Sequence, residues 1–414
     1  MISDSAPPKL TGVMPLNQTA AYSNMHATGL KPAGNACLTD LTFLTKRFHI
    51  VQNRWPNEHD HPEWKTECSA MNDLNTESMF DESGLARYLE AGIDSFSGPL
   101  TARKFAGGQS NPTYLIESPS GKYVLRRKPP GQVLKSAHAV DREFRVISAL
   151  AATDVPVPKA IHLCIDDTVI GSMFYLMEFV AGRTFWDAAL PAVPLGDRAG
   201  IYDSIIRTLA ALHSVDVNAV GLDDYGRPGN YFDRQISRWI TQYGLSETEE
   251  IEAMNTLIDR LPDNTPPDDG RVSLIHGDYR IDNMIFDPQG NQVLALIDWE
   301  LSTLGHPMAD LAYTCMSMRL PRLGEMKGLA GLDRNALNIP DEAAFLAQYC
   351  NRTGLNSIDQ WPFYLAFSYF RLAAIVQGVM KRALDGNASS AKALEVGKMA
   401  RPLAEMGLAV LESG

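Results

Sequence analysis

The sequence predicts an α+β fold of two lobes, in which a small antiparallel β-sheet lobe with one helix precedes a larger, mainly helical lobe. Between residues 100 and 179, short apolar runs alternate with turn residues, which is typical of antiparallel strands. After Gly182, apolar residues recur every three or four positions, which is typical of helices. At 414 residues and 45% hydrophobic content, the chain is long enough for a sizeable core.

Residues 1–78 differ in composition from the rest of the chain. Pro, Asn, Thr and Ser are frequent there, and no sustained helix or strand periodicity is present. We therefore expect a poorly structured N-terminal extension over residues 1–78. Its segment Glu58-His59-Asp60-His61 offers metal ligands together with Cys68, but nothing else supplies a ligand at metal-site spacing, so a solvated loop is expected.

The small lobe is predicted over residues 79–180. Asp81 or Ser83 is placed to cap a short helix that Gly92 ends. The helix of the sheet lobe is expected at residues 140–151, where apolar residues recur at helical spacing. Four short apolar runs predict strands, at residues 114–116, 123–125, 160–164 and 173–177.

The large lobe is predicted over residues 181–414. Apolar stripes at helical spacing lie at residues 201–212, 236–243, 343–350 and 363–384. Short apolar runs predict strands at residues 272–275, 284–286 and 293–297. The most apolar stretch, residues 363–380, contains Arg371 and Gln377, so we expect a buried core helix and not a membrane span.

Charge and cysteine content exclude several classes of protein. A formal net charge of −12 argues against nucleic acid or an anionic membrane as a partner of the whole surface. Residues 101–145 differ, with nine Lys or Arg against three acids, which suggests a focused anion site. Five widely spaced cysteines without a CxxC pair indicate neither a disulfide framework nor a zinc site, so a cytoplasmic location is expected.

The segment HGDYRIDN, residues 276–283, collects polar side chains directly after a predicted buried strand. Asp278 and Asn283 follow this strand, and Asp298 follows the apolar run 293–297. If the strand that ends at His276 and the strand 293–297 pair through the turn Pro288-Gln289-Gly290, these oxygen-bearing side chains arrive at one edge. Asn283 and Asp298 then offer hard oxygen ligands to Mg²⁺.

Phosphoryl transfer needs further groups beside the metal ligands. Asp278, if it does not bind the metal, can accept the proton of an attacking hydroxyl group. Arg280 can neutralise charge on the transferring phosphoryl group. Together these residues supply the parts that phosphoryl transfer requires.

Six ordered motifs carry a resemblance to a known family: GGQSNPTY, YVLRRKPPG, HAVDREFRV, GRPGNYFDRQISRW, HGDYRIDN and IDWELSTLGHPMADLAY. The chain resembles the kinase-like phosphotransferases, the group of aminoglycoside phosphotransferases and choline kinases, from about residue 79 to the C-terminus. The match is closest to the phosphotransferase domain associated with acyl-CoA dehydrogenases. The resemblance implies a protein-kinase-like two-lobed fold and an ATP-dependent transfer to a hydroxyl group.

The resemblance also implies roles for individual residues. It makes Asp278 the catalytic base and Asn283 and Asp298 the Mg²⁺ ligands. The flap over the ATP phosphates corresponds to Gly107, Gly108, Gln109, Ser110 and Asn111, and the link that meets adenine to Glu178, Phe179 and Val180. His276 and Asp310 are expected to hold the catalytic loop in place.

Two more positions are predicted to contact the nucleotide. Strand alternation puts Val124 and Arg126 on one face, which suits Val124 to adenine and Arg126 to the phosphates. Many relatives have lysine at the position of Arg126, and an arginine is bulkier and grips oxygens differently. Glu143 shares a helix face with Val140 and Ile147, so it is expected to point inward and pair with Arg126.

The expected partners are ATP and a small-molecule hydroxyl acceptor, with a functional partnership with an acyl-CoA dehydrogenase as a further implication. The family resemblance favours a hydroxyacyl group, free or as a CoA thioester, as acceptor. An aminoglycoside or amino-alcohol phosphotransferase and a catalytically silent nucleotide-binding module are the alternatives. Residues 227–239 are net basic, which disfavours a cationic acceptor, and Asp278, Asn283 and Asp298 are intact, which disfavours a silent module.

Several aromatic and arginine residues are candidates for the acceptor pocket, and each has two possible interpretations. They either belong to the core and its ion pairs or bind an anionic acceptor. They are Tyr231, Phe232, Trp239, Trp299, Arg234, Arg238 and Arg371.

Overall fold

The structure, a computed structural model, describes residues 74–75, 80–105, 111–129, 139–323, 326–386 and 392–414. The predicted metal cluster of residues 58–61 with Cys68 lies outside the described residues. The same holds for the predicted phosphate flap from Gly107 to Ser110.

An antiparallel sheet forms most of the small lobe. Its strands are β1 (Leu74–Asn75), β2 (Thr101–Phe105), β3 (Thr113–Ser118), β4 (Gly121–Arg127), β5 (Ala160–Cys164) and β6 (Phe174–Glu178). The order across the sheet is β1-β2-β3-β4-β6-β5, and every neighbouring pair is antiparallel. Strand β1 lies inside the range predicted as an extension, residues 1–78.

Two helices cover this sheet. Helix α1 (Glu82–Gly92) begins after Asp81, whose carboxylate accepts a hydrogen bond of 3.0 Å from the Ser83 amide, and its last residue is the predicted Gly92. Its Leu85 and Leu89 pack into the same core cluster as Leu125 of β4. Helix α2 (Val140–Leu150) packs into the large hydrophobic core that extends through the second lobe.

Alternation along β4 gives the sheet two different faces. Leu125 lies in the core beneath α1. Its neighbour Arg126 is buried on the opposite face, where its side chain meets Glu143 of α2 and Asp298 of the large lobe. Because successive side chains of a strand point to opposite faces, Arg126 points towards the second lobe while Leu125 points into the core beneath α1.

The large lobe is mainly helical. Its helices are α3 (Leu195–His213), α4 (Tyr231–Ser246), α5 (Glu252–Asp263), α6 (Met308–Arg319), α7 (Glu342–Thr353), α8 (Trp361–Leu384), α9 (Ala393–Gly397) and α10 (Ala400–Glu412). Its strands are β7 (Ser273–Ile275), β8 (Met284–Phe286), β9 (Val293–Leu296), β10 (Thr303–Gly305), β11 (Arg322–Leu323) and β12 (Met326–Lys327). The antiparallel pairs are β7 with β10, β8 with β9, and β11 with β12.

Helix α8 is the central helix of the large lobe. Every side chain from Phe363 to Val379 is buried, and α8 packs against α4, α6 and α10. Within the described chain it is the one helix long and apolar enough to cross a membrane, yet 94% of its apolar window is buried in the fold. This burial confirms the predicted core helix.

Two short strand pairs bring the polar segments together. The predicted pairing of the strand before His276 with residues 293–297 is wrong, because the turn at residues 288–290 joins β9 to β8, in which Met284 lies opposite Leu296. Beyond β9 the Ile297 amide still donates a bond of 2.9 Å to the Asn283 carbonyl. The first polar segment follows β7, which pairs with β10 and not with the β8–β9 hairpin.

Candidate active site

The catalytic loop after β7 places Asp278 at the centre of a polar cluster. Asp278 is 3% exposed, and its carboxylate lies 3.2 Å from the Arg280 Nε atom. Asn283 Nδ2 lies 3.1 Å from the same carboxylate and donates a 2.7 Å bond to the Asp278 carbonyl. The base predicted from the sequence is thus buried and fixed in orientation by two neighbours from its own loop.

Arg280 does more in the structure than the sequence indicates. Its guanidinium bridges Asp278 and the Asp282 carboxylate, which lies 2.9 Å from Nη2. Burial would lower the pKa of Arg280, but Asp278 and Asp282 raise it above its ordinary value. Arg280 therefore stays charged and provides a positive charge beside the carboxylates of Asp278 and Asp282.

Backbone amides of the catalytic loop are held by Asp310 of helix α6. Its two carboxylate oxygens accept from the amides of His276 at 2.6 Å and Gly277 at 2.8 Å. The His276 ring lies between the Ile297 carbonyl, 3.0 Å from Nε2, and the Asp278 amide, 3.3 Å from Nδ1. These contacts confirm that His276 and Asp310 hold the loop, as predicted.

Gly277 occupies a backbone conformation and a space that other residues cannot share. Its φ angle is +81°, and a Cβ atom there would lie 2.5 Å from the Leu301 carbonyl oxygen. Both constraints favour glycine, since a left-handed φ is strained for other residues and the contact is too short.

We expect Gly277→Ala to lower the free energy of unfolding by about 1–3 kcal/mol through strain alone, and by more through the clash. Chemical denaturation followed by circular dichroism measures the change. Gly331→Ala is the matched control, because Gly331 has φ +79° with no atom within 4 Å of a Cβ. Equal losses in the two variants would show that the contact with Leu301 is unimportant.

Asn283 and Asp298 present oxygen atoms at the same edge of the β8–β9 hairpin. Asn283 uses Nδ2 for both of its bonds to Asp278, so its Oδ1 atom is not engaged by Asp278. Asp298 has a φ angle of +70°, which is uncommon for a residue with a side chain and is found at functional sites. One amide oxygen and one carboxylate are a donor set that fits Mg²⁺, which completes its shell with water and phosphate oxygens.

Arg126 joins the two lobes through an ion-pair cluster. Its Nε atom lies 2.8 Å from Glu143, and its Nη2 atom lies 2.9 Å from Asp298 and 3.0 Å from Glu300. All four side chains are at most 14% exposed. The predicted pairing of Arg126 with Glu143 is confirmed, whereas the contacts to Asp298 and Glu300 were not predicted.

Three acids around one arginine leave an excess of negative charge in a buried space. Burial raises the pKa of the Glu143 carboxyl, and the guanidinium of Arg126 opposes that rise. Asn111 donates a 2.7 Å bond to Glu143, and the Tyr175 hydroxyl donates another of 3.2 Å. The described end of the predicted flap, Asn111, is thus fully buried and supports Glu143 with its side chain.

The predicted adenine-binding residues lie where the two lobes connect. Val124 is buried beside Arg126 on β4, and β6 ends at Glu178, which is exposed. The Glu178 amide donates to the Lys159 carbonyl at 2.9 Å, so it is not a free donor for a base. Phe179 and Val180 follow β6, are partly buried and lead into the large lobe.

Sequence reasoning missed two acids of this site, Glu300 and Asp282. Both acids lie within two residues of a predicted functional residue, which is the only sequence signal for them. This signal does not identify a site residue, because spacing in an irregular loop does not fix the direction of a side chain. Arg234 is engaged by backbone carbonyls of its own loop, Gly229 and Arg227, so it neither pairs with a core acid nor is available to an acceptor.

Comparison with known proteins gives consistent matches. The family model described as "Phosphotransferase enzyme family" matches residues 101–352. Acyl-CoA dehydrogenase family member 10 of Mus musculus is 45% identical over 327 residues, which are 78% of this chain and 30% of that protein. Family member 11 of Gallus gallus is 43% identical over 343 residues, 81% of this chain and 44% of that protein. The chain therefore spans less than half the length of these relatives.

Solved structures match over most of their length. A candidate aminoglycoside phosphotransferase from Ralstonia eutropha has 52% identity and a TM-score of 0.75, covering 81% of this chain and 99% of that chain. An aminoglycoside phosphotransferase in ternary complex with ADP and hygromycin B has 13% identity and a TM-score of 0.52, covering 78% of this chain and 98% of that chain. The second match concerns the fold alone, which is the predicted kinase-like fold.

Proposed function

Because this chain belongs to the phosphotransferase enzyme family, we propose that it is an ATP- and Mg²⁺-dependent kinase that phosphorylates a hydroxyl group of a small molecule. One observation carries the proposal. The buried carboxylate of Asp278 lies 3.1 Å from Asn283, which is tied by a backbone bond to Ile297, the residue before Asp298. These contacts support the proposal that Asp278 acts as the base beside a divalent cation held by Asn283 and Asp298.

Asp278 is the general base of the proposed reaction. Its carboxylate accepts the hydroxyl proton as the acceptor oxygen attacks the γ-phosphorus. Arg280 and Asn283 contact this carboxylate and fix its orientation, so little reorganisation is needed during the reaction. Asn283 and Asp298 would hold Mg²⁺, which would neutralise charge at the phosphate oxygens.

Arg126 is the cation for the nucleotide phosphates in this proposal. It stands on the strand that faces the large lobe and already lies 2.9 Å from Asp298. Its planar guanidinium has five donors, so phosphate oxygens can be bound while the bond to Glu143 is kept. The position of the family lysine is thus filled by a residue with the same charge and a different geometry.

The proposed acceptor is a hydroxyacyl compound, free or as a CoA thioester. Support comes from the names of the relatives, which are acyl-CoA dehydrogenase family members. We also propose a cytoplasmic location, which the cysteine content supports, and a functional partnership with an acyl-CoA dehydrogenase, which the names of the same relatives support. An aminoglycoside acceptor is less well supported, because the stretch from Arg227 to Trp239 is net basic and would repel a cationic drug.

Release of ADP in the presence of Mg²⁺ tests the proposal. Hydroxyacyl-CoA thioesters, free hydroxy acids, amino alcohols and aminoglycosides are compared as acceptors. We expect ADP release to rise with a hydroxyacyl compound. Binding of ATP without transfer to any acceptor would favour the silent nucleotide-binding module, and transfer to aminoglycosides alone would replace the proposed acceptor.

Asp298→Ala provides a test of the metal ligand. We expect the Kd of Mg²⁺-ATP to rise at least about tenfold, because the variant loses a charged ligand. Titration with a fluorescent ATP analogue, with and without Mg²⁺, measures the effect. Asp282→Ala is the control, since Asp282 is a neighbouring acid that pairs with Arg280. A Kd that is unchanged in Asp298→Ala would remove Asp298 from the metal site.

A further inference from the structure

We propose that Arg371 of helix α8, assisted by Trp239 of helix α4, binds the acyl oxygen atoms of the acceptor. This inference rests on the proposed function and adds the residues that select the acceptor. The shared chemistry of the ligand is an acyl oxygen, either in the carboxylate of a free hydroxy acid or in the carbonyl of its thioester.

Arg371 is buried next to the catalytic base. It is 8% exposed, and its Nη2 atom donates a 2.8 Å bond to the carbonyl of Gly277, the residue before Asp278. Neighbouring Cα atoms are about 3.8 Å apart, so Arg371 is hydrogen-bonded to the residue directly beside the proposed base.

The guanidinium of Arg371 lies between aromatic rings. Its central carbon is 5.2 Å from the ring centre of Tyr313 and 5.8 Å from that of Trp239. Among the described residues, no carboxylate lies within ion-pair distance of Arg371. One backbone carbonyl uses one of five N–H donors, and a buried cation without a counter-charge is costly.

A second unused donor lies beside it. Trp239 is 5% exposed, and its Nε1 atom has no hydrogen-bond partner among the described residues. A buried indole N–H normally has a partner. Since the Trp239 ring is in contact with Arg371, a single oxygen-bearing ligand can satisfy both groups.

The guanidinium of Arg371 and the indole N–H of Trp239 offer only donors, which select an oxygen acceptor, and the positive charge of Arg371 repels an ammonium group.

The proposed reaction transfers the γ-phosphoryl group of ATP to the hydroxyl group of the acceptor. The acceptor oxygen forms a bond to the γ-phosphorus while the bond from that phosphorus to the β,γ-bridging oxygen breaks, and ADP leaves. The hydroxyl proton passes to the Asp278 carboxylate. Arg371 takes no part in bond making; by binding the acyl end it fixes the distance of the hydroxyl group from Asp278.

The test compares a straight-chain hydroxy acid, its CoA thioester and the diol of the same carbon chain as acceptors. The variants are Arg371→Gln, Arg371→Lys and Trp239→Phe, the last of which removes only an N–H donor and a small part of the ring. We expect Arg371→Gln to raise the KM of the acid or thioester about 10- to 100-fold. The KM of the diol, the KM of ATP and acceptor-independent ATP hydrolysis should stay within about threefold of wild type.

Arg371→Lys should restore part of the selectivity, and Trp239→Phe should give a smaller loss in the same direction. Arg198→Gln controls for the loss of a buried arginine, because Arg198 is also 8% exposed and also bonds a backbone carbonyl, that of Val193. Comparison of the KM values of the free hydroxy acid and its CoA thioester shows which of the two compounds the site binds.

Equal losses with acid, thioester and diol, together with reduced ATP hydrolysis, would overturn the inference, because Arg371 would then only support Gly277. If Arg371→Gln does not fold, Trp239→Phe decides, and an unchanged preference for acid over diol in that variant overturns the inference. A wild-type protein that phosphorylates no hydroxyacyl compound contradicts the proposed function itself. A wild type that does so with variants of unchanged preference contradicts only the role of Arg371.

Discussion

Asp278→Ala is expected to lower the rate of phosphoryl transfer by about 10²- to 10⁴-fold, the usual contribution of a positioned base. The Kd of ATP should change by less than about threefold, because Asp278 makes its contacts to Arg280 and Asn283 and is assigned to the acceptor side. Single-turnover kinetics measures the transfer step, and equilibrium titration with an ATP analogue measures binding.

Two comparisons make this result interpretable. Asp282→Ala removes a carboxylate that also contacts Arg280 and lies four residues along the same loop, but it leaves the base in place. It should retain most of the transfer rate. If Asp278→Ala transferred phosphate as fast as Asp282→Ala, Asp278 could not be the base, and the centre of the proposed mechanism would be lost.

Arg126→Met is expected to lower the free energy of unfolding by about 3–5 kcal/mol, which is the usual cost of removing one partner from a buried ion pair. The variant leaves Glu143, Asp298 and Glu300 together without their cation. Binding of ATP should also be lost, because Arg126 is the proposed phosphate-binding residue. Chemical denaturation and nucleotide titration measure the two effects separately.

Variants of the acids that contact Arg126 distinguish the effect of charge on stability from the effect of packing. Glu300→Gln removes one of the three acids and keeps the shape, so we expect a much smaller loss of stability than in Arg126→Met. The double variant Arg126→Met with Glu143→Gln should lose less than the sum of its single variants, because the two residues interact. Additive losses would show that the 2.8 Å contact contributes little.

Arg126→Lys asks whether the geometry of arginine matters. A lysine keeps the charge but lacks the planar fork that reaches Glu143 with Nε and two other acids with Nη2. We expect stability between those of wild type and Arg126→Met. Since many relatives are expected to have lysine here, ATP binding should be largely retained.

Local patterns predicted the elements of the fold closely. Strand β5 was predicted at residues 160–164 and has these bounds, and the helix predicted at residues 363–384 is Trp361–Leu384. Both follow from the period of their apolar residues, which depends only on neighbours in the chain. The predicted fold class is confirmed for the same reason, because a run of strands followed by a run of helices permits few arrangements.

Long-range contacts were predicted only where the family resemblance or a helix face constrained them. The pair of Arg126 and Glu143 was predicted because Glu143 shares the inward helix face of Val140 and Ile147, and a buried acid needs a cation. The contacts of Arg126 with Asp298 and Glu300 were not found, since they span 172 and 174 residues of sequence. The bond from Arg371 to Gly277 joins residues that are 94 positions apart, and local periodicity did not predict it either.

The sequence by itself determined which residues end each strand, and so it determined Asp278, Asn283 and Asp298 as the candidates for base and metal ligands. Only the tertiary structure decided which cations and amides surround them. Side-chain periodicity specifies the face on which a residue lies, but the partner on that face depends on how whole elements pack. For this protein that packing sets Arg126 among three acids and Arg371 beside the base.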